Sequence, residues 1–122
     1  MNIGEYAESL FTTICIGEGY TVSKPFYHEI RYDLVVDVDN VLQRVQVKST
    51  DHVRPKDNQC QVRVNYDKEE VDWFAIYIYK NKDWYVLPID VVEDIKQFSI
   101  KLGYKSKYDI FKNNFGFLRH GF

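Results

Sequence analysis

Apolar residues near the start of the chain recur at the spacing of one helix face. The residues that follow this period are Ile3, Ala7, Leu10, Phe11 and Ile14. Two glycines, Gly17 and Gly19, then interrupt the pattern, and glycine weakens a helix because it loses the most backbone freedom on folding. The sequence therefore predicts an amphipathic helix over residues 3–17, with Glu8 at the border of its apolar stripe.

The next segments show the alternation that is typical of strands. Residues 20–23 form a short strand candidate, and residues 32–38 form a second one that is rich in branched side chains. Asp39 and Asn40 then supply turn chemistry before a third candidate over residues 41–49. The second and third strands are therefore predicted to pair as a β-hairpin.

The middle of the chain predicts an exposed loop followed by a central strand. Residues 51–58 carry almost no apolar side chain, which is typical of a loop. Residues 60–66 alternate in the manner of a strand that has one wet face. Residues 71–79 are apolar at both alternating sets of positions, as in a central strand that helices cover on both faces.

The remaining segments predict one more strand and two short helices. The strand covers residues 84–87 and ends at Pro88, and a helix is predicted over residues 90–98. A second helix is predicted in the tail, around residues 108–113. Together these elements indicate an α/β fold with a mixed central β-sheet flanked by helices.

Length and composition indicate one domain over residues 1–122. A chain of 122 residues can bury about two-thirds of its unfolded surface without disulfides or metals. Cys15 and Cys60 are too few for a disulfide framework and favour a reducing setting. Apolar runs are too short to span a membrane, and the first residues lack the features of a signal peptide. A cytoplasmic, intracellular protein with no membrane partner is expected.

The net charge of −2 argues against a protein that binds nucleic acid over a broadly positive surface. Any such contact must use local patches. Arg54, Lys56 and Arg63 could touch phosphate groups or could simply be solvated. The tail could form either a DNA-contacting patch or a subunit interface. Its basic and aromatic residues are Lys101, Lys105, Lys107, Lys112 and Arg119 with Tyr104, Tyr108 and Phe111.

Four polar side chains, Glu8, Asp33, Gln46 and Lys48, are candidates for a catalytic metal site. Side chains alternate along strands, so pairing of the hairpin would bring Asp33 towards Gln46 and Lys48. Mg²⁺ prefers oxygen ligands, which the two carboxylates, the Gln46 amide and the backbone carbonyl of Val47 could provide. Lys48 could orient water or neutralise charge that develops on a phosphoryl group.

Each of these candidates also has a structural interpretation. Glu8 could be a solvated helix residue, and Gln46 and Lys48 could form the polar face of an edge strand. Asp33 is harder to explain in this way, because a buried carboxylate without a partner is costly. The three histidines lack the spacing of metal ligands and are expected at the surface. They are His28, His52 and His120.

The order of these candidates resembles the PD-(D/E)XK nuclease superfamily, with glutamine where its common members carry a carboxylate. The resemblance covers about residues 4–92 and is similar to the branch that includes group I intron homing endonucleases. Holliday-junction resolvases are more distantly similar. The segments that carry the resemblance are residues 4–8, 19–25, 31–36, 44–48 and 71–75. The most specific is Arg-Val-Gln-Val-Lys, residues 44–48.

The resemblance implies a restriction-endonuclease-like core and a metal-dependent endonuclease. Glu8 and Asp33 match the metal-binding acids of the family, Gln46 its substituted third position and Lys48 its catalytic lysine. Mg²⁺ is the implied cofactor, with Mn²⁺ able to replace it, and double-stranded or branched DNA is the implied partner. Lys24 lies in a matching segment and is a further DNA-binding candidate. The core would span about residues 4–92, followed by a C-terminal extension over about residues 93–122.

The function that follows is hydrolysis of DNA phosphodiester bonds by an enzyme most similar to a homing endonuclease. A junction resolvase or another phage-type nuclease is the alternative within the same class. A catalytically silent DNA-binding or assembly module with the same fold is the alternative from another class. Because one chain of this size holds one site, cleavage of both strands implies a homo-oligomer, either a dimer or a tetramer.

Overall fold

The computed structural model describes residues 1–27 and 29–120. It begins with helix α1 (Ile3–Gly17), which confirms the helix predicted there. Asn2 caps the helix, since its Oδ1 accepts a hydrogen bond from the Glu5 N–H at 3.1 Å. Such a cap satisfies one of the N–H groups that the first turn leaves without a partner.

The strands of the described residues form one mixed sheet and one separate ribbon. The sheet has the order β1-β2-β3-β5-β6, in which β3 and β5 are parallel and the other neighbours are antiparallel. Strands β4 and β7 pair only with each other, as an antiparallel ribbon. The strands are β1 (Thr21–Ser23), β2 (Leu34–Val38), β3 (Val41–Thr50), β4 (Gln59–Arg63), β5 (Trp73–Ile78), β6 (Asp83–Pro88) and β7 (Gln97–Lys101).

The predicted hairpin between β2 and β3 is confirmed, and its turn explains why it forms there. Asp39 and Asn40 adopt φ values of 52° and 71°, the left-handed region that two-residue hairpin turns require and that Asp and Asn tolerate. The Asn40 N–H also donates to Asp37 Oδ1 at 2.9 Å. The turn fixes a register in which Leu34 lies opposite Val45.

Two apolar cores cover the two faces of the sheet. Ala7 and Phe11 of α1 pack with Val45 on one face, and all three are fully buried. On the other face, Phe74 packs with residues of the β4–β7 ribbon such as Ile100. Strand β5 is buried at every position, which confirms that it is central, with a helix on one side and mainly the ribbon on the other.

The helix predicted over residues 90–98 is wrong over most of its length. Helix α2 (Ile89–Val92) is a single turn, and β7 begins at Gln97. Phe98 and Ile100 point from β7 into the core beneath the ribbon. Burial of these side chains against β4 decides the local structure, because strand formation depends on packing against neighbours more than on intrinsic preference.

The C-terminal segment is part of both cores. The helix predicted around residues 108–113 is only a 3₁₀ turn, Asp109–Phe111, and helix α3 (Phe117–His120) follows it. The Tyr20 hydroxyl donates to the Phe115 carbonyl at 2.9 Å and ties this segment to the start of β1. The buried tail residues are Leu102, Tyr108, Phe111, Phe115 and Leu118.

Cys15 and Cys60 are buried and free, as predicted from their number. Within the described part of the chain, no helix has both the length and the apolar character needed to cross a membrane.

Candidate active site

Asp33 is held against the backbone of β3 at the start of the hairpin. Its N–H donates to the Val45 carbonyl at 2.9 Å, and its Oδ2 accepts from the Val47 N–H at 2.9 Å. These two contacts lie on either side of Gln46 in the sequence. The carboxylate is therefore fixed beside the segment that the sequence analysis singled out, as a preorganised site requires.

Glu8 approaches the same region from helix α1. Its buried Oε1 accepts from the Lys24 ammonium, which lies 2.6 Å away. Glu8 and Asp33 both line a cavity of about 210 Å³. The other lining residues are Lys24, Pro25, Tyr27, Ile30 and Tyr32. The helix and the hairpin thus bring two carboxylates to one cavity.

The electrostatic environment of Asp33 links it to the other candidates. Burial raises the pKa of the Asp33 carboxyl above its usual value, and the negative charge of Glu8 raises it further. The Val47 N–H and the ammonium groups of Lys48 and Lys24 oppose this rise without cancelling it. A perturbed carboxyl group with charged neighbours at the wall of a cavity is typical of a functional site.

Gln46 and Lys48 lie on the face of β3 that points away from α1. Val45 and Val47 belong to the α1 core, so the alternating positions Gln46 and Lys48 face the opposite side. Gln46 is only 7% exposed and is the one polar residue that is buried among the described residues. Lys48 is exposed. Neither lines the cavity shared by Glu8 and Asp33, although the charge of Lys48 acts on the Asp33 carboxyl.

The Lys48 ammonium lies 5.7 Å from the centre of the Tyr66 ring, a contact that the sequence analysis missed. The Arg31 guanidinium lies 4.5 Å from the same ring, and its Nη2 donates to the Asn65 carbonyl at 2.7 Å. Cations are attracted to the faces of aromatic rings at such distances. The alternation over residues 60–66 could have shown that Tyr66 points inward, but it could not show which cations it meets.

The family comparison decides what kind of protein carries this arrangement. A family model described as "PD-(D/E)XK endonuclease" matches residues 1–110, which is most of the chain. The chain belongs to the PD-(D/E)XK endonuclease family. The resemblance stated from the sequence is thereby confirmed, and the match extends past residue 92 to include β7 of the ribbon.

Two solved structures share the fold of this PD-(D/E)XK protein. The bacterial homing endonuclease I-Ssp6803I has a TM-score of 0.82 and 24% identity, with 94% of this chain and 88% of that chain covered. The Holliday junction resolvase Hjc of Archaeoglobus fulgidus has a TM-score of 0.63 and 12% identity, with coverages of 99% and 98%. No curated protein matches the sequence significantly. These likenesses confirm the predicted restriction-endonuclease-like α/β fold.

PD-(D/E)XK nucleases generally use divalent metal ions, and the donor set of this chain fits such an ion. The described residues contain no group of three or more His, Cys, Asp or Glu side chains that could hold a metal. An ion would therefore need neutral ligands beside Glu8 and Asp33, and the Gln46 amide and the Val47 carbonyl are oxygen donors of that kind. The buried Oε1 of Glu8 already faces a cation, the Lys24 ammonium, whose side chain is 70% exposed.

The residues predicted to contact phosphate differ in whether their charged groups are already paired with other side chains. The Arg54 guanidinium is bound to Asp57 at 2.7 Å and to Gln59 Oε1 at 2.7 Å, so it holds its own loop together. Lys56 is exposed in that loop, and Arg63 is exposed on the outer side of β4. Lys24 is paired with the Glu8 carboxylate, which raises the pKa of the lysine.

The basic and aromatic residues of the tail do not form one patch. The Arg119 guanidinium lies 5.1 Å from the Tyr20 ring, and its Nε is 3.3 Å from Asp39 Oδ2. Tyr108 and Phe111 are buried in the core. The lysines that share a surface cleft of about 190 Å³ are Lys101, Lys105 and Lys112.

His52, whose side chain is described, does not line the Glu8–Asp33 cavity. His52 is exposed, as predicted. His28 and the side chain of His120 lie outside the described residues, so the prediction for them stays a prediction.

Proposed function

We propose that this PD-(D/E)XK protein is a Mg²⁺-dependent endonuclease that hydrolyses phosphodiester bonds of DNA, most similar in activity to a homing endonuclease. The observation that supports this most strongly is the position of Asp33. Its carboxylate is fixed to β3 by the Val47 N–H, opens on the same cavity as Glu8 and responds to the charge of Lys48.

The proposed roles follow from the chemistry of each group. Glu8, Asp33, the Gln46 amide oxygen and the Val47 carbonyl would hold the ion. When bound, a divalent ion offsets negative charge on phosphoryl oxygens and makes a bound water more acidic. Lys48 carries a positive charge beside the same carboxylate, where it can stabilise charge that develops on the phosphoryl group. Mn²⁺, which also accepts oxygen ligands, would replace Mg²⁺.

The DNA partner is proposed to lie across the mouth of the Glu8–Asp33 cavity. Lys24 and Lys56 are exposed cations that could contact backbone phosphates, as could Arg63, and such contacts position a duplex without reading its sequence. Arg54 would contribute by holding the loop that carries Lys56. The greater structural similarity to a homing endonuclease than to a junction resolvase favours double-stranded over branched DNA.

Cleavage of supercoiled plasmid DNA tests the proposed function. The protein is expected to convert plasmid to nicked and linear forms in Mg²⁺ or Mn²⁺, to stop when the metal is chelated and to recover when metal is restored. Asp33→Asn and Lys48→Ala should each lower the cleavage rate by roughly a hundredfold or more, the usual cost of removing one group that stabilises the transition state.

Asp37→Asn is the matched control, because Asp37 is a half-buried carboxylate in β2, the strand that directly follows Asp33. The hydrogen bond described for the Asp37 carboxylate is to Asn40 in the hairpin turn. The variant should cleave at the wild-type rate. Cleavage by Asp33→Asn at the wild-type rate would contradict the assigned site. DNA binding that is independent of metal, with no cut ends from the wild type, would instead identify a catalytically silent module.

A further inference from the structure

Two aromatic side chains beside the candidate active site are largely exposed to solvent. Phe26 is 92% exposed, which makes it the most exposed large apolar residue of the described chain, and Tyr27 is 70% exposed. Their ring centroids are 5.5 Å apart and the rings meet edge to face, at 77°. Neither belongs to the two apolar cores. Exposed aromatic groups of this size indicate a contact surface.

This aromatic pair, Phe26 and Tyr27, adjoins the proposed site of phosphodiester cleavage. Tyr27 lines the same cavity as Glu8 and Asp33, and both rings follow Lys24 closely in the chain. A phosphodiester bond placed at Asp33 would therefore bring its neighbouring nucleotides to the two rings. In DNA, only the bases have flat aromatic faces on which these two rings can stack, because the backbone is charged and polar.

A second copy of the chain is a weaker candidate for the occupant of this surface. Aromatic side chains bury about 150–250 Å² each, so the pair supplies roughly 300–500 Å². A stable complex typically buries about 800 Å² on each partner. Lys24, which lines the same cavity as Tyr27 and has a side chain that is 70% exposed, also suits a polyanion better than an apolar partner surface.

We propose that Phe26 and Tyr27 stack on an unpaired base next to the cleaved phosphate. The inference rests on the proposed function and extends it to a substrate preference. Stacking requires the base to leave its own stack, which costs least where pairing is already weak. The protein should therefore bind and cut double-stranded DNA better when the bases beside the cleaved bond are mismatched.

Binding to two labelled DNA duplexes of one mixed sequence tests the proposal. One duplex is fully paired and the other carries a central mismatched bubble, and Ca²⁺ replaces Mg²⁺ so that DNA is bound without being cut. Phe26→Ala should weaken binding to the bubble by about tenfold, as expected for loss of one stacked base. Binding to the paired duplex should change less, and the dependence of affinity on salt should stay the same because no phosphate contact is lost.

Two variants at the same position separate stacking from general apolar contact. Phe26→Trp keeps a flat ring and should bind the bubble as tightly as the wild type, whereas Phe26→Leu keeps apolar area without a ring and should behave like Phe26→Ala. In Phe26→Trp the new indole should also lose fluorescence when the bubble binds, while Trp73 and Trp84 are buried in the core. All three variants should fold, because the side chain at position 26 is almost fully exposed.

The outcomes distinguish this inference from the proposed function. If the wild type cuts plasmid DNA and Phe26→Ala binds both duplexes as the wild type does, the stacking proposal fails and the nuclease function stands. If Phe26→Leu retains binding to the bubble, or if Phe26→Ala shifts the oligomeric state in light scattering, the stacking proposal fails. The aromatic pair then contacts an apolar surface of another chain. If bubble binding depends on Phe26 although no variant cuts DNA, the stacking role stands and the nuclease function fails.

Discussion

The side chains of Arg44 and Asp72 join the middle of β3 to the segment that leads into β5. The guanidinium donates to both carboxylate oxygens at 3.1 Å, and the Arg44 N–H donates to Asp72 Oδ2 at 2.8 Å. Arg44 also donates to the Glu69 carbonyl at 2.7 Å. The arginine of the motif that most resembles the PD-(D/E)XK family thus stabilises the strand that carries Gln46 and Lys48.

Asp72→Asn is expected to lower the free energy of unfolding by about 1 kcal/mol near neutral pH, because a charged hydrogen bond is lost from a partly exposed site. Burial alone would raise the pKa of Asp72, but its bonds to Arg44 outweigh burial and lower the pKa below the usual value. The stabilisation is therefore present above the unfolded pKa of about 4 and is lost as the pH falls through the lower folded value.

Urea unfolding as a function of pH measures this difference between the wild type and Asp72→Asn. The gap should be widest near neutrality and should close in acid. Asp51→Asn, at an exposed carboxylate, should change nothing at any pH. A gap that stays constant down to the acid limit would show that the charge of Asp72 is not what stabilises the fold.

The contacts of a single residue could be predicted from the sequence only where its partner lies in the same hairpin. Asp33 was identifiable because a carboxylate among branched apolar residues needs a partner, and the structure supplies the Val47 N–H. The contact between Lys48 and Tyr66 was not identifiable. It depends on the path of the chain between β4 and β5, which brings the ring to the sheet.

At the scale of elements, helix α1 is fixed by aromatic contacts to distant parts of the chain. The Phe11 ring lies 5.4 Å from the Trp84 ring of β6 and 5.5 Å from the Phe115 ring of the tail. Phe11 is fully buried. Since α1 carries Glu8, these contacts also set the distance of that carboxylate from Asp33.

Phe11→Ala should destabilise the protein by about 3–5 kcal/mol, the usual cost of removing a buried phenyl ring. Chemical denaturation measures the effect. Ile16→Ala is the matched control, because Ile16 lies on the same helix and is 60% exposed, so it should lose less than about 0.5 kcal/mol. Equal losses in the two variants would mean that α1 is not held through Phe11.

The elements that were predicted correctly have sequence patterns that lie within the element itself. Helix α1 has an uninterrupted apolar stripe, and the β2–β3 hairpin has Asp39 and Asn40 at positions that need positive φ. Strand β7 was mistaken for helix because its pattern is short and its stability comes from β4, more than thirty residues earlier in the chain. The periodicity of the sequence cannot reveal such a pairing, since both a helix and a strand are compatible with a short apolar run.

At the scale of the whole molecule, Glu8 and Asp33 bring their carboxylates to one cavity at the junction of α1 and the hairpin, which is the proposed cleavage site. The two strands of a duplex run in opposite directions. A single site would therefore have to rebind in the opposite orientation to cut the second strand, whereas a symmetric pair of chains presents one site to each strand. This symmetry argument leads to the dimer or tetramer that the proposed nuclease function requires.

Mixed assemblies test that requirement. Wild-type chains are refolded together with a large excess of Asp33→Asn chains, so that most assemblies that contain an active chain contain only one. Nicked plasmid should then accumulate at the expense of the linear form, because one site cuts one strand. Mixing the two proteins without refolding is the control and should leave linear product unchanged if subunits do not exchange. If linear product forms from the refolded mixture in the same proportion as from the wild type alone, each chain cuts both strands in turn, and the oligomer is unnecessary for the reaction.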